Sequence, residues 1–325
     1  MPWSQIRGQQ LMKECLARLI EAGRVGGTYL FYGPPGSEQE PMALAFISAI
    51  LCEKQNADFC GTCSVCKRIQ ARVYPDVFIL EPEGAFYKID QLRTMQSIAL
   101  SSPHEARYKI FVLRQAERMR QEGANSLLKI LEEPYPHVIF VLLTDNISAI
   151  LPTVISRCQR IRLAPLSPEE VADELCETAN VDREMAATLA RVSGGRIGQA
   201  RNLLEETWLE RRDEILALLK ELRTSSRLAI PRTTQAWGRD REAAKERLLA
   251  LLSILRDALI CSSAGDGGLF LNVDRTDAIQ SLWRDVDPDR IIRAFETAVD
   301  GLDGIDRYLN VQNVMEGVLM ACAEE

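Results

Sequence analysis

The feature that most constrains the fold is the alternation of short, continuously apolar segments with helical patterns. Residues 109–113 and 138–143 carry apolar side chains at nearly every position, which is typical of parallel strands buried on both faces. Between them, residues 123–134 have a helical pattern that ends at Pro134. Parallel neighbours need a crossover connection, which is usually a helix. We therefore predict an α/β fold in which a parallel sheet carries helices on both faces.

Shorter segments extend this alternation in both directions. Further strands are predicted at residues 28–32, 77–80 and 159–163. Further helices are predicted at residues 10–20, 41–51 and 91–100. Asp90 is the expected N-cap of the last helix, because an Asp side chain accepts hydrogen bonds from the free amides of a first turn.

The loop after the first predicted strand begins like a phosphate-binding loop and lacks the chemistry of one. It carries Gly33 and Gly36 and reads GPPGSEQE. A working loop, G-x-x-x-x-G-K-[ST], cradles phosphates with backbone N–H groups and adds a lysine and a Mg²⁺-binding hydroxyl. Here Glu38, Gln39 and Glu40 stand in the last three places, and a carboxylate ~4 Å from a phosphate charge costs roughly 4 kcal/mol at an effective dielectric of about 20. We expect no ATP bound by this chain; an ordinary surface turn is the alternative reading of the glycines.

The end of the predicted strand at residues 109–113 lacks a second part of an ATPase site. An ATPase of this layout has acidic residues there, which hold Mg²⁺ and orient water. This chain has Arg114 and Gln115 instead. The sequence thus predicts at two separate places that the groups needed for ATP hydrolysis are missing.

Four of the nine cysteines lie close together in the segment CEKQNADFCGTCSVC. They are Cys52, Cys60, Cys63 and Cys66, and four thiolates at such spacing suit tetrahedral Zn²⁺ with Zn–S bonds of about 2.3 Å. An iron–sulfur cluster and cysteines without a metal are the alternatives. No catalytic set of His, Asp or Glu stands nearby, so we predict a closed, structural zinc site.

Charge and apolar content narrow the class of protein. The 39 basic and 46 acidic residues give a net charge of −7, which argues against a protein that grips nucleic acid by charge alone. No apolar run reaches the ~18 residues of a membrane span, and the first residues lack the pattern of a signal peptide. Together with the odd number of cysteines, these observations predict a cytoplasmic protein that works with protein partners and not on a membrane.

From residue 166 onward the strand patterns end. Ser167 and Pro168 are typical of the start of a helix, and helical patterns continue to the end of the chain. In the last part they lie at residues 215–222, 248–260, 291–302 and 311–321, with polar loops at 224–234 and 262–268. We predict a nucleotide-binding-like domain at 1–165 with the cysteine module at 52–66, a helical lid at 166–207 and an all-helical domain at 208–325.

The order of several motifs resembles that of bacterial clamp-loader subunits of the AAA+ class, and the likeness covers nearly the whole chain. NSLLKILEEP together with Ser156-Arg157-Cys158 is the most specific part. The other motifs are GPPG, the cysteine tetrad after the first helix, VLRQAERM, LPTVISRC and YLNVQ at residues 308–312. The resemblance implies that residues 208–325 form the collar that holds such subunits in a ring.

Departures from the motor subunit of that family all point to a member that does not hydrolyse ATP. Besides the loop and strand-end residues, Gly198 stands where the motor has a nucleotide-sensing arginine. The resemblance implies that Arg157 reaches, in trans, the ATP of an adjacent subunit, while a local salt bridge is the alternative reading of that residue. It implies partners as well: motor subunits of the gamma/tau type, a delta subunit, the sliding clamp, and primed DNA through the complex.

Two other functions remain open on the sequence. One is an active AAA+ clamp-loader ATPase with unusual motifs, which would need a cation for the γ-phosphate. The other is a stand-alone zinc protein that binds DNA through its cysteine module, although the charges around the tetrad are mixed in sign. Nucleotide binding by the isolated chain separates the first from a non-hydrolysing subunit of a DNA polymerase complex, and co-purification with other loader subunits separates the second.

Overall fold

The chain divides into two compact units. The structure is a computed structural model and describes residue 3 and residues 6–54, 57–205, 207–224, 229–262 and 269–323 of the 325-residue chain. The first unit comprises Met1–Glu170 and Arg196–Gln199, and the second comprises Val171–Gly195 and Ala200–Glu325. The three-part division at residues 165 and 207 stays a prediction.

A parallel sheet forms the centre of the first unit. Its strands are β1 (Gly27–Tyr32), β2 (Val77–Leu80), β3 (Lys109–Leu113), β4 (Val138–Thr144) and β5 (Gln159–Arg162), in the order β2-β3-β4-β1-β5. All neighbouring pairs run parallel. The carboxyl ends of β1, β3 and β4 therefore meet at one edge, and the loops that follow these strands are brought together there.

Helices cover both faces of this sheet. They are α1 (Gln10–Glu21), α2 (Gln39–Leu51), α3 (Ser64–Gln70), α4 (Ile89–Ala99), α5 (Gln121–Glu132) and α6 (Pro152–Ile155). Successive β3 residues alternate between two cores, because side chains along a strand point to opposite faces. Ile110 and Val112 pack with α1, α2 and α3, whereas Phe111 and Leu113 pack with α4, α5 and α6. The predicted fold class is confirmed.

The second unit contains helices and no strand among the residues that the structure describes. Its elements are α7 (Pro168–Ala179), α8 (Arg183–Val192), α9 (Ile197–Glu205), α10 (Trp208–Thr224), α11 (Ala229–Trp237), α12 (Arg241–Ser262), α13 (Thr276–Trp283), α14 (Pro288–Asp306) and α15 (Val311–Ala323), and the first three residues of both α7 and α9 lie in the first unit. The four helical patterns predicted for the last part of the chain lie in α10, α12, α14 and α15. Among the described helices of both units, none is long and apolar enough to span a membrane.

Two local predictions are wrong. Asp90 is not an N-cap: α4 begins at Ile89, and the Lys88 N–H donates to Gln91 Oε1 at 3.0 Å, so Asp90 lies in the first turn. Part of the loop predicted at residues 224–234 is α11, which places Pro231 in its first turn, where a missing N–H costs no helical hydrogen bond. Residues 225–228 and 263–268 of the two predicted loops lie outside the described residues.

Candidate functional site

The loop after β1 keeps the glycine geometry of the predicted motif. A Cβ on Gly33 would lie 2.6 Å from the Leu163 carbonyl oxygen, and Gly36 has φ +83°, a conformation that favours glycine. The Gly198 N–H donates to the Gly36 carbonyl at 3.1 Å. A Cβ on Gly198 would lie 3.2 Å from that same oxygen. The loop thus packs directly on the backbone of Gly198, which leaves little room for a side chain at that position.

Gln39, in the lysine position, turns back into the loop. Its Nε2 donates to the Gly33 carbonyl at 2.9 Å and to Asp145 Oδ1 at 2.9 Å, with a longer contact of 3.3 Å to the Pro34 carbonyl. The residue is buried. These hydrogen bonds to three protein acceptors hold the Gln39 amide within the loop. The amide is neutral, so it offers no positive charge to a phosphate.

Glu40, in the hydroxyl position, forms ion pairs with two arginines. Its Oε1 lies 2.7 Å from Arg72 Nη2, and its Oε2 lies 3.0 Å from Arg114 Nε. Arg114 also contacts Glu81. Glu40 replaces the hydroxyl that would bind Mg²⁺, and Arg114 replaces the strand-end carboxylate that would bind it. The two substitutions, Glu40 and Arg114, lie far apart in the sequence and form one ion pair in the structure.

A small acidic cleft remains beside this pair, within the first unit. It has a volume of about 240 Å³ and is lined by Gly36, Glu38, Glu40, Arg114 and Asp145 among others, whereas ligand sites are usually roughly 300–1,000 Å³. Burial, with the nearby charge of Glu117, raises the pKa of Asp145. A triphosphate would meet carboxylates here and no lysine, so the arrangement disfavours nucleotide.

The four clustered cysteines come together as predicted. Their Sγ atoms all lie within 4.8 Å of one another, and a tetrahedral zinc site with bonds of about 2.3 Å would place its sulfurs about 3.8 Å apart. The Cys63 N–H donates to Cys60 Sγ at 3.2 Å, and the Cys66 N–H donates to Cys63 Sγ at 3.4 Å. Gly61 supplies the positive φ, +65°, that the turn requires.

The protonation tendencies of these thiols differ. Hydrogen bonds from the Thr62 side chain and backbone, and from the Cys63 N–H, lower the pKa of Cys60 to about 5. Burial raises the pKa of Cys66. A divalent cation would favour the thiolate form at all four positions. Four sulfur donors and no open coordination position suit a structural zinc ion, and the cluster could hold such a metal.

The cysteine module is tied to residue 3, far away in the sequence. The Trp3 N–H donates to Asp58 Oδ1 at 2.9 Å, and its Nε1 donates to the Ala57 carbonyl at 2.8 Å. The Trp3 and Phe59 rings meet edge to face at 6.1 Å. The sequence gives no signal for these contacts, since no local pattern links a residue to another more than fifty positions away.

Arg157 follows α6 and forms a local ion pair. Its Nε and Nη2 lie 2.9 and 2.8 Å from one oxygen, Oε2, of Glu132, and its Nη1 donates to the Thr153 carbonyl at 2.9 Å. The arginine side chain is 28% exposed. Next to it, burial raises the pKa of Cys158 to about 12. The salt bridge considered as the alternative reading of Arg157 is present.

Residues 308–312, predicted to belong to a ring-forming collar, form the end of the turn between α14 and α15 and the start of α15. Tyr308 is 80% exposed and has φ +64°. The Arg241 guanidinium lies 4.9 Å from the centre of its ring, and Arg241 Nη1 donates to the Ile305 carbonyl at 2.8 Å. The turn is thus supported from within the second unit, while its aromatic side chain faces solvent.

The chain is similar in sequence to subunits of DNA polymerase III. A family model described as DNA polymerase III, delta subunit, matches residues 8–167. The chain is 33% identical over 206 residues to DNA polymerase III subunit delta' of Bacillus subtilis, covering 63% of this chain and 60% of that protein. It is 30% identical over 244 residues to subunit delta' of Pseudomonas aeruginosa, covering 73% of this chain and 71% of that protein.

Two further similarities are more distant. DNA polymerase III subunit gamma/tau of Mycobacterium tuberculosis is 28% identical over 200 residues, which are 59% of this chain and 35% of that protein. Among solved structures, a DNA polymerase III gamma subunit-related protein of Thermotoga maritima has a TM-score of 0.43 at 22% identity, covering 96% of this chain and 98% of that one.

Proposed function

Because the chain belongs to the DNA polymerase III delta' family, we propose that it is the subunit of a bacterial clamp loader that does not hydrolyse ATP and completes the ATP site of a neighbouring subunit. In this role it joins gamma/tau motor subunits and a delta subunit in a ring that loads the sliding clamp on primed DNA. Residues 208–325 would form the collar of that ring, and the Cys52–Cys66 module would hold a structural zinc ion.

The observation that carries the proposal is the Glu40–Arg114 ion pair. A motor subunit needs a hydroxyl and a carboxylate at these two places to hold Mg²⁺. In this chain Glu40 and Arg114 occupy these places and form an ion pair, with 3.0 Å between Oε2 and Nε. The Gln39 amide is hydrogen-bonded to protein groups within the site. These contacts favour the non-hydrolysing role over an active ATPase, because no lysine is present in the loop to meet a γ-phosphate.

Arg157 is the residue proposed to act in trans. A guanidinium is always charged and grips phosphate oxygens with a planar fork of donors. Its present contacts do not prevent this role, because Glu132 and the Thr153 carbonyl leave one N–H on each terminal nitrogen without a partner among the described residues. A neighbour's triphosphate can therefore approach Arg157 at little cost.

The test is Arg157→Ala in a reconstituted complex. An arginine finger is worth on the order of 10³–10⁵ in turnover in other phosphoryl-transfer systems, so the one site that depends on Arg157 should stop turning over. Clamp loading should fall steeply and total ATP turnover in part, since the other sites continue. Both are measured at saturating clamp and primed DNA.

Arg160→Ala is the matched control, since Arg160 is exposed on β5 three positions away. It should leave loading unchanged. Arg157→Ala should also leave zinc content and the melting temperature of the isolated chain within error. A complex that loads clamps at the wild-type rate with Arg157→Ala would show that the trans role is wrong.

A further inference from the structure

The contacts of Arg157 involve all three nitrogens of its guanidinium group. Arginine has five N–H donors. Glu132 Oε2 accepts from Nε and lies 2.8 Å from Nη2, and the Thr153 carbonyl accepts from Nη1. Two N–H donors, one on each terminal nitrogen, have no partner among the described parts of the chain. They are the donors that an incoming phosphate would use.

The two protein groups that hold Arg157 lie on helices whose separation is set by the core. Glu132 is the last residue of α5, and Thr153 lies in α6. Leu131 of α5 and Val154 of α6 are buried in the same cluster of apolar side chains. Because core packing tolerates little displacement, the backbones of Glu132 and Thr153 stand at a fixed spacing, and from there the Glu132 carboxylate and the Thr153 carbonyl both contact the guanidinium.

We infer that Glu132 is a positioning residue for Arg157: it holds the guanidinium by its Nε side and leaves the remaining donors directed to the phosphate of the adjacent subunit. This inference rests on the proposed trans action of Arg157. A long, partly exposed arginine otherwise samples several rotamers, and orienting it beforehand removes that entropy from the reaction step. The carboxylate stays bound throughout and is not displaced by nucleotide.

A contribution to folding stability explains the Glu132–Arg157 ion pair less well than positioning does. Exposed ion pairs contribute little to folding, and Glu132 is 57% exposed. Glu133, its neighbour, is also exposed and has no ion pair among the described residues. The chain therefore offers two adjacent glutamates at the end of α5, of which only one contacts the proposed finger.

The experiment compares Glu132→Gln with the matched control Glu133→Gln in the reconstituted complex. Clamp-loading rate is measured as a function of ATP concentration. For Glu132→Gln we expect a fall of roughly tenfold at saturating ATP, since misplacing a reacting group by ~1 Å can cost about a hundredfold. The ATP concentration at half-maximal rate should change by less than about twofold, because the lost interaction acts in the transition state. Glu133→Gln should behave as wild type.

A double variant separates positioning from other roles. In the Arg157→Ala background, Glu132→Gln should cause no further loss, because the two residues act through one contact. A full additional loss would overturn the inference, and so would a wild-type or increased rate with Glu132→Gln alone, the latter meaning that Glu132 restrains the finger. If Arg157→Ala slows loading and Glu132→Gln does not, only the inference fails. If Arg157→Ala itself has no effect, the proposed function fails and the inference fails with it.

Discussion

At the scale of single residues, the nucleotide-like site is satisfied by its own side chains. Gln39 binds the loop carbonyls and Asp145, and Glu40 binds Arg72 and Arg114. Each group that a nucleotide would need is either absent or engaged with a protein partner. Substituting one residue toward the motor pattern would therefore leave its former partner unpaired, which is costly for a buried polar group.

We predict that the isolated chain binds ATP too weakly to detect by calorimetry at micromolar concentrations and does not hydrolyse it. The reason is the absence of a lysine in the loop together with the acidic lining of the cleft, where like charges repel phosphate. A gamma/tau motor subunit in the same buffer with Mg²⁺ is the positive control. Micromolar affinity for the isolated chain would contradict the prediction and favour the active-ATPase reading.

At the scale of elements, the cysteine module lies where α2, α3 and the start of the chain meet. Cys52 directly follows α2, Cys66 lies in α3, and both are buried in the core cluster that includes the β1 side chain Tyr29. Trp3 attaches to the same module through Asp58 and Ala57. A metal bound to the four sulfurs would thus connect α2, α3 and the start of the chain.

We predict about one zinc ion per chain by metal analysis, in protein purified without chelator. Cys63→Ser removes one ligand and the sulfur that accepts from the Cys66 N–H, and a structural zinc contributes folding free energy directly. A loss on the order of 2 kcal/mol would lower the melting temperature by roughly 4–8 °C for a domain of this size.

Cys15→Ser is the control for this experiment, because Cys15 is exposed and lies outside the cluster. It should change neither the zinc content nor the melting temperature. Finding iron in place of zinc would favour the iron–sulfur alternative. If the protein contains no metal and Cys63→Ser does not change the melting temperature, the result supports the alternative of four cysteines without a metal.

At the scale of the whole molecule, charge limits what the chain can do alone. The net charge is −7, and several arginines of the first unit are engaged with carboxylates: Arg68, Arg72, Arg114 and Arg157. Affinity for nucleic acid without sequence preference depends on basic groups that are free to displace counterions. The proposed work on primed DNA therefore belongs to the assembled ring.

We predict that the isolated chain binds primed DNA with a dissociation constant weaker than about 10⁻⁴ M at physiological salt, the weak limit of ordinary non-specific binding. Fluorescence anisotropy with a labelled primer–template measures this, and the assembled complex with ATP is the positive control. Micromolar binding by the chain alone would contradict the prediction and favour the stand-alone zinc protein that binds DNA.

The sequence by itself determined the alternation of strands and helices, because buried strands and amphipathic helices have different periods of apolar side chains. It also predicted the cysteine set, whose members lie close together along the chain. The apolar pattern did not predict α11. Pro231 suggested a loop there, but the first turn of a helix tolerates a proline.

Only the tertiary structure decided which distant residues become partners. Glu40 meets Arg114 because the segments after β1 and β3, which flank β4 in the sheet, lie at one edge of it, and Glu132 meets Arg157 because α5 and α6 pack in one core. Strand order and helix packing arise from contacts across the whole chain. No local pattern carries them, so these pairs could be recognised only once the fold had placed their side chains within hydrogen-bonding distance.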